Sequence, residues 1–263
     1  MKTLLVGDLH LKARMILPLV EKMVLEKECD RIIMLGDYTD DWNCNLDERL
    51  YFTELDFLIN WKVQMEEQGK QVITLLGNHD APYLTGELRG YSLHHNYRKV
   101  AHKLIELGVQ IAFKLDDYIC SHAGFCVGFD LQEWHLRKLT FSNFDMRNVT
   151  DLENKIGERG GLVQIPSPLW ADFSELNKYP NPDIPKQIVG HTPQNNIYFT
   201  NESNGQYQFV DIDTFNLATS GVYPYYSFRG NGDLLLYDNG LSILKTNWQE
   251  KEMLEKIYMQ RGR

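Results

Sequence analysis

The chain has 263 residues, of which 43% are hydrophobic and 24% charged, and its formal net charge is −9. This composition is typical of a globular protein and excludes a disordered or fibrous chain. No apolar run approaches the roughly 20 residues that a membrane span needs, and the acidic balance argues against holding nucleic acid by bulk charge. We therefore expect one domain over residues 1–263, with no membrane partner and with nucleic acid as the least favoured ligand.

The four cysteines indicate a reducing compartment. They show neither a CxxC pair nor zinc-finger spacing, and no export signal is recognisable before Asp8. We therefore expect reduced thiols in a cytoplasmic protein. None of the four is followed by arginine six positions later, so the cysteine-dependent mechanism of phosphate transfer is excluded.

In the first half of the chain, short apolar runs alternate with longer stretches of helical period. The pattern predicts strands at 3–6, 31–35 and 72–76, and helices at 15–28, 46–67 and 93–107. This alternation is typical of an α/β protein.

Short strands dominate the second half. The pattern predicts strands at 109–113 and 118–120, one that ends at Val189, several between 207 and 244, and a closing helix at 248–260. One domain with two sheets fits this distribution better than a single parallel sheet. The least regular segment, 131–186, is expected to be an insertion that selects the substrate.

Ligand-type side chains follow five of the predicted strands, at the point where each strand ends. The clusters are Asp8 and His10, then Asp37 and Asp40, then Asn78, His79 and Asp80, then His122, and finally His191. In four clusters a glycine comes just before the first such residue, where it allows the backbone to approach a bound group. Ligands of open α/β sheets gather at the carboxyl ends of strands, so we expect the clusters to converge on one site.

The late motif Asp211-Ile212-Asp213-Thr214 is similar to the nucleophile motif of haloacid-dehalogenase-like phosphatases. The threonine or valine that this motif requires is replaced by Phe215, and the motif lies far from the start of the chain. We therefore interpret this motif as structural and not as the nucleophile of a haloacid-dehalogenase-like phosphatase.

The ordered clusters resemble the signature of the calcineurin-like metallophosphoesterases. The matching elements are Asp8-x-His10, Gly36-Asp37, Gly77-Asn78-His79-Asp80, His122 and Gly190-His191. The stretches 36–40, 122–124, 168–172, 190–193 and 211–214 are similar to the branch that contains Ser/Thr protein phosphatases and symmetrical dinucleoside-tetraphosphate hydrolases. The resemblance implies a four-layer α/β/β/α sandwich of two mixed sheets flanked by helices.

The resemblance also implies a pair of divalent metal ions. Their ligands would be Asp8, His10 and Asp37 at one ion and Asp37, Asn78, His122 and His191 at the other. Oxygen and nitrogen donors without a thiolate suit Mn²⁺ best, with Fe or Zn as alternatives. Two such ions lower the pKa of a shared water and clamp a phosphoryl group, so a metal-bound hydroxide would attack phosphorus in line.

Three residues receive further roles from the resemblance. Asn78 and His79 would contact the substrate, and His79 would also be the general acid. Asp40 would accept a hydrogen bond from the other ring nitrogen of His79 and thereby fix its tautomer.

Two departures from the family pattern concern the substrate. Asp41 stands where protein phosphatases carry a phosphate-binding arginine, and Pro193 where many members have a second histidine. Arg89, Lys178 and Lys186 are candidates for the missing cation.

The sequence predicts a phosphomonoesterase for a phosphorylated small molecule, nucleotide or phosphoprotein. A dinucleoside polyphosphate hydrolase, a phosphodiesterase or nuclease, and a binding module that keeps the fold without catalysis remain alternatives.

Overall fold

Two five-stranded mixed sheets with helices on their outer faces form the centre of the computed structural model, which describes residues 1–200, 205–219 and 226–261. The strands are β1 (Thr3–Val6), β2 (Arg31–Met34), β3 (Gln71–Thr74), β4 (Ala112–Leu115), β5 (Tyr118–Ser121), β6 (Lys186–Val189), β7 (Tyr198–Phe199), β8 (Gln208–Asp211), β9 (Leu217–Thr219), β10 (Tyr226–Phe228), β11 (Leu234–Tyr237) and β12 (Leu241–Leu244). The helices are α1 (Ala13–Lys27), α2 (Glu48–Glu67), α3 (Ala81–Thr85), α4 (Tyr97–Leu107), α5 (Asn143–Glu153), α6 (Phe173–Lys178) and α7 (Lys251–Arg261). Positions 220–225 of the strand-rich stretch predicted at 207–244 lie outside the described residues.

The parallel strands of both sheets end at one edge. The first sheet has the order β12-β11-β1-β2-β3, and the second has the order β4-β5-β6-β8-β7. In the first sheet, Val6 pairs with Met34 and Met34 with Thr74, so three parallel strands end side by side. In the second sheet, β5, β6 and β8 are parallel. The loops after these strands therefore collect at the same edge, as the sequence predicts.

Successive side chains of each strand point to opposite faces of the sheet and therefore belong to different layers of the core. Leu4 and Val6 of β1 belong to the core that the helices cover, whereas Leu5 packs between the sheets with Ile188 and Val210. Fully burying a leucine or isoleucine side chain stabilises the fold by about 1.5–3 kcal/mol, so strands that are apolar on both faces require cover on both faces. This arrangement confirms the predicted four-layer architecture.

Several element boundaries differ from the sequence prediction. The helix predicted from residue 93 begins at Tyr97, because Asn96 takes a left-handed backbone with φ of 58°. The strand predicted at 109–113 is displaced to Ala112–Leu115, because the backbone N–H of Gln110 already bonds Thr74 of the first sheet. Among the described residues, no helix has the length and hydropathy needed to cross a membrane.

The segment 131–186 is more regular than the sequence indicates. It contains α5, α6 and two 3₁₀ turns, Glu133–Leu136 and Gly157–Gly160. Helix α5 begins where the side chain of Ser142 accepts a hydrogen bond from the backbone N–H of Asp145 at 3.1 Å. The short helix α3, which the sequence analysis also missed, has a proline in its first turn.

Candidate metal centre

All five polar clusters come together at the shared edge of the sheets. His10, Asp37, Asn78, His79 and His191 line one cavity of about 660 Å³ together with Asp40. Asp8 and His122 lie behind this lining and are buried. The structure therefore brings together every residue that the sequence analysis assigned to the site.

The backbone at four of these residues is left-handed. The φ angles are 42° at His10, 51° at Asp37, 50° at Asp40 and 68° at His191. Such conformations cost of order 1–3 kcal/mol each in residues other than glycine and persist only where neighbouring contacts impose them. One such contact is the hydrogen bond from the backbone N–H of His10 to the carbonyl of Asp37 at 2.7 Å.

The glycine before Asn78 gives space to a carboxylate. A Cβ atom at Gly77 would lie 2.0 Å from Oδ1 of Asp37, a distance that no side chain tolerates. The other oxygen of Asp37 is thereby left to face the histidines. Here the glycine admits a side chain of the protein itself, whereas the sequence analysis expected it to admit a bound group.

Four donor atoms converge on one point of the site. Oδ1 of Asn78 lies 2.8 Å from Nε2 of His122 and 2.9 Å from Nδ1 of His191. Oδ2 of Asp37 is 3.5 Å from the same Nε2 of His122. Because Nδ1 of His122 is 2.8 Å from the carbonyl of Leu35, which can only accept, it carries the proton and Nε2 presents a lone pair. Lone pairs of Asn78, Asp37 and His122 therefore face one another at contact distance. This is the arrangement that a cation requires.

A second group shares Asp37. Nε2 of His10 lies 3.5 Å from Oδ2 of Asp37 and 3.8 Å from Oδ2 of Asp8. Nδ1 of His10 faces the backbone carbonyl of Asp40 at 2.9 Å, so this ring too points a lone pair at the carboxylates. Ligand-type atoms lie within 4.8 Å of one another in two sets, one from His10, Asp37 and His79 and the other from Asp37, His122 and His191.

The charges of the site are poorly balanced without a cation. Burial, together with repulsion from Asp213 and Asp37, raises the pKa of Asp8 well above its usual range. Burial also raises the pKa of Asp37 to about 8 and lowers the pKa of both His10 and His122 to about 3. Buried carboxylates beside neutral imidazoles are the donor state that divalent metals bind. The residues present therefore fit a pair of divalent ions.

The pKa of His79 is shifted upward, opposite to the pKa shifts of His10 and His122. Burial alone lowers the pKa of its imidazole, but the carboxylates of Asp37 and Asp40 outweigh this effect and raise the pKa to about 9. Nδ1 of His79 faces Oδ2 of Asp40 at 3.4 Å, and Oδ1 of Asp40 accepts from the hydroxyls of Tyr51 and Tyr83 at 2.5 Å each. A quarter of the His79 side chain is exposed toward the cavity. The surrounding carboxylates therefore favour the protonated form of this histidine, and a ligand in the cavity can reach it.

Asp80 has a structural task that the sequence analysis did not assign. Its Oδ1 accepts from the backbone N–H groups of Tyr38 and Thr39 at 3.0 and 3.1 Å, and its Oδ2 accepts from Gly77 at 3.1 Å. The carboxylate thus joins the loop after β2 to the loop after β3, and this fixes Asp37 relative to Asn78.

Asp213 is a site residue that the sequence analysis missed. It is buried, lines the cavity, and its Oδ1 has no hydrogen-bond partner in the described part of the chain. Asp213 follows β8 as the other clusters follow their strands, so the strand-end pattern could have identified it. It also contributes to raising the pKa of Asp8.

Asp41 does not present an uncompensated charge to the cavity. Its Oδ2 accepts from Nη2 of Arg261 at 2.6 Å and from Nζ of Lys12 at 3.1 Å. Burial by itself raises the pKa of Asp41, but these two cations hold it below its usual range. The negative charge that Asp41 brings in place of an arginine is therefore compensated within the protein.

The cations at the cavity are not the ones that the sequence analysis considered. Arg89 pairs with Glu153, and the candidate lysines pair elsewhere, so none of the three lines the cavity. Lys12, Arg159 and Arg229 line it instead. Arg159 belongs to the segment 131–186 and forms a paired contact with Asp172.

The sequence profile of calcineurin-like phosphoesterases matches residues 1–221. The chain belongs to this family. This phosphoesterase is accordingly a phosphoester hydrolase, and members of its family generally bind two divalent metal ions. Both statements agree with the sequence analysis.

Solved structures that this chain matches are described as two kinds of protein phosphatase and a tetraphosphatase. A cold-active protein-tyrosine phosphatase of a psychrophilic Shewanella species is 18% identical, over 93% of this chain and 80% of its own, with a TM-score of 0.46. A Saccharomyces cerevisiae serine/threonine phosphatase is 12% identical over 93% and 79% with a TM-score of 0.44, and a putative diadenosine tetraphosphatase is 14% identical over 95% of both chains with a TM-score of 0.45. These likenesses are too distant to indicate a substrate for this phosphoesterase. A search of curated protein sequences found no match.

Proposed function

We propose that this phosphoesterase is a two-metal phosphomonoesterase. The observation that carries the proposal is the position of Asp37, whose carboxylate belongs to both sets of converging ligand atoms. A carboxylate has two oxygens and a full negative charge, so it is the natural bridge between two cations. Asp8 and His10 would complete the site of one ion, and Asn78, His122 and His191 the site of the other.

The metals would supply the nucleophile, since two divalent ions activate a shared water and clamp a phosphoryl group. Mn²⁺ is our preferred ion, with Fe or Zn as alternatives, because the donors are imidazoles, carboxylates and one amide. The protein's own contribution is to hold these donors in place. The carbonyl of Leu35 fixes the ring of His122, and the carbonyl of Asp40 fixes the ring of His10.

His79 would protonate the departing oxygen from Nε2. Asp40 orients the ring through Nδ1 at 3.4 Å, and a carboxylate partner at this nitrogen favours the protonated form of the imidazole. The two tyrosine hydroxyls on Asp40 hold that carboxylate in place. Asp40 is therefore a positioning residue that acts through His79.

The cavity offers contacts for both parts of the substrate. Asn78 and His79 would contact the phosphoryl group, and Arg159 would supply the cation that Asp41 does not. Arg159 belongs to segment 131–186, which supports the role of this segment in substrate selection. The ring of Tyr91 lies 4.5 Å from that of His79, and Tyr91 would therefore lie beside the departing group that His79 protonates. Four free cysteines, all buried, support a cytoplasmic location.

Metal-dependent turnover of model esters tests the proposal. Metal-free protein is supplied with Mn²⁺, Zn²⁺ or Fe²⁺ and offered p-nitrophenyl phosphate, bis(p-nitrophenyl) phosphate or a dinucleoside tetraphosphate. We expect the monoester to be hydrolysed fastest. Preference for the diester or the tetraphosphate would favour a phosphodiesterase or a polyphosphate hydrolase. No turnover with any metal would favour the binding module.

A further inference from the structure

The carboxyl-terminal helix reaches the candidate metal centre, although it lies outside the stretch that matches the family. The family profile ends at residue 221, and α7 spans Lys251–Arg261. Met253, Ile257 and Arg261 are the buried residues of α7, and their spacing of four places them on one helix face. Two of them pack into the apolar core, and the third extends toward the loop after β1.

Arg261 contacts the backbone of His10 directly. Its Nη2 donates to the carbonyl oxygen of His10 at 3.2 Å and to Oδ2 of Asp41 at 2.6 Å. Nζ of Lys12 donates to the same two oxygens at 3.2 and 3.1 Å. All three charged side chains are nearly inaccessible, at 1% for Arg261, 2% for Lys12 and 7% for Asp41. Two cations thus donate to both the carbonyl of His10 and the carboxylate of Asp41.

This carbonyl lies in a turn that needs support. His10 and Leu11 both have left-handed backbones, with φ of 42° and 54°. Residues other than glycine hold such angles only where the surroundings impose them. A buried carbonyl also requires a donor, and hydrogen bonds from charged donors are about twice as strong as neutral ones. The contacts of Arg261 and Lys12 therefore stabilise the turn that aims His10 at Asp37.

We propose that Arg261 is a positioning residue for the metal ion that His10 holds. The inference rests on the proposed function, in which His10 is a ligand of only one of two ions. His122 and His191 lie on other loops, which follow β5 and β6. Loss of Arg261 should therefore weaken one ion and leave the other unchanged. A general loss of stability would weaken both.

Titration of the metal-free protein with Mn²⁺ alone tests this selectivity. We expect wild type to bind two ions and His10→Asn to lose one of them. Arg261→Gln should raise the dissociation constant of that same ion by about 10–100-fold, the usual effect of removing an outer-shell partner, and leave the other within about twofold. Arg261→Lys keeps the charge without the planar fork and should weaken the same ion by less.

Two controls separate positioning from stability. Ile257→Val removes one buried methyl group from the same helix, and Lys256→Gln removes an exposed charge from it. Both should bind two ions as wild type does. Equal weakening of both ions in Arg261→Gln, or no weakening, would overturn the inference while two-ion binding by wild type upholds the proposed function. If Arg261→Gln does not fold, the same criteria apply to Arg261→Lys. Wild type that binds no divalent ion would overturn both proposals.

Discussion

The carboxylate of Asp8 fits directly against Gly190, where a Cβ atom would lie only 2.4 Å from Oδ1 of Asp8. The backbone N–H of His191 donates to both oxygens of the same carboxylate at 3.2 Å. The end of β6 in the second sheet therefore fixes a side chain that follows β1 in the first. The two sheets are joined at the candidate metal centre through this contact.

Gly190→Ala should displace Asp8 and weaken metal binding. Overpacking of a closed site typically costs 1–3 kcal/mol, so we expect the free energy of unfolding to fall by about that amount. Urea denaturation and metal analysis measure the two effects. Gly240→Ala is the matched control, because a Cβ atom at Gly240 would meet no atom of the described residues within 4 Å. If Gly190→Ala keeps wild-type stability and metal content, the close contact with Asp8 is not required.

Loss of His79 should matter most for substrates with a poor leaving group. General acid catalysis contributes about 10²–10⁴-fold, which sets the scale of the effect on alkyl phosphates. His79→Asn should keep both metals and retain relatively more activity on p-nitrophenyl phosphate, because p-nitrophenolate leaves readily without a proton. Asp40→Asn should shift this ratio in the same direction by less. Equal losses across leaving groups, with metals bound, would mean that His79 contacts phosphate without donating a proton.

Arg159→Gln should raise KM for phosphomonoesters about tenfold and change kcat less. A hydrogen bond to a charged group contributes about 1.5–3 kcal/mol, and a loss in KM alone indicates binding that is equal in ground and transition states. Steady-state kinetics measures both parameters. Lys178→Gln is the control, since Lys178 lies in the same segment and pairs with exposed Glu158 away from the cavity. Unchanged KM in Arg159→Gln would remove Arg159 from substrate binding.

Lys62 should make stability depend on pH above neutrality. Burial of its ammonium group lowers its pKa from 10.5 to about 8, although Nζ donates to the carbonyl of Leu107 at 2.7 Å. Between pH 8 and 10.5 the unfolded chain therefore binds more protons at this residue than the folded chain. The free energy of unfolding should rise with pH across this window by on the order of 3 kcal/mol.

Lys62→Met should remove this rise. Urea denaturation of wild type and variant across the same window measures it, and the difference between the two free energies isolates the contribution of Lys62. Parallel pH profiles for the two proteins would show that the Lys62 ammonium is hydrated in the folded state.

The location of the site could be predicted from the sequence because a simple rule of topology connects the two. Parallel strands end at one edge, so the polar residues that follow them, such as Asp37 after β2 and His122 after β5, must meet. The same rule would have found Asp213 after β8. Helix α5 was also recoverable, since Ser142 with Asp145 three residues later is a recognised start signal.

The partners of the site residues could not be predicted in this way. Arg261 reaches Asp41 across 220 positions of the chain, and no local pattern around either residue indicates the contact. Asp40 receives its tyrosine hydroxyls from α2 and α3, where the apolar rings alone suggest core positions. Such contacts depend on how helices pack onto the sheet, which sequence periodicity does not specify.

Asp37 is proposed to bridge two metal ions, and metal analysis of purified variants decides whether it does. Wild type should retain two equivalents of metal, and Asp37→Asn should lose more metal than any other single ligand change, because the lost charge serves both ions. Asp8→Asn and Asn78→Ala should each lose mainly one ion. If Asp37→Asn keeps both ions while Asp8→Asn or Asn78→Ala loses them, the bridging role of Asp37 is contradicted.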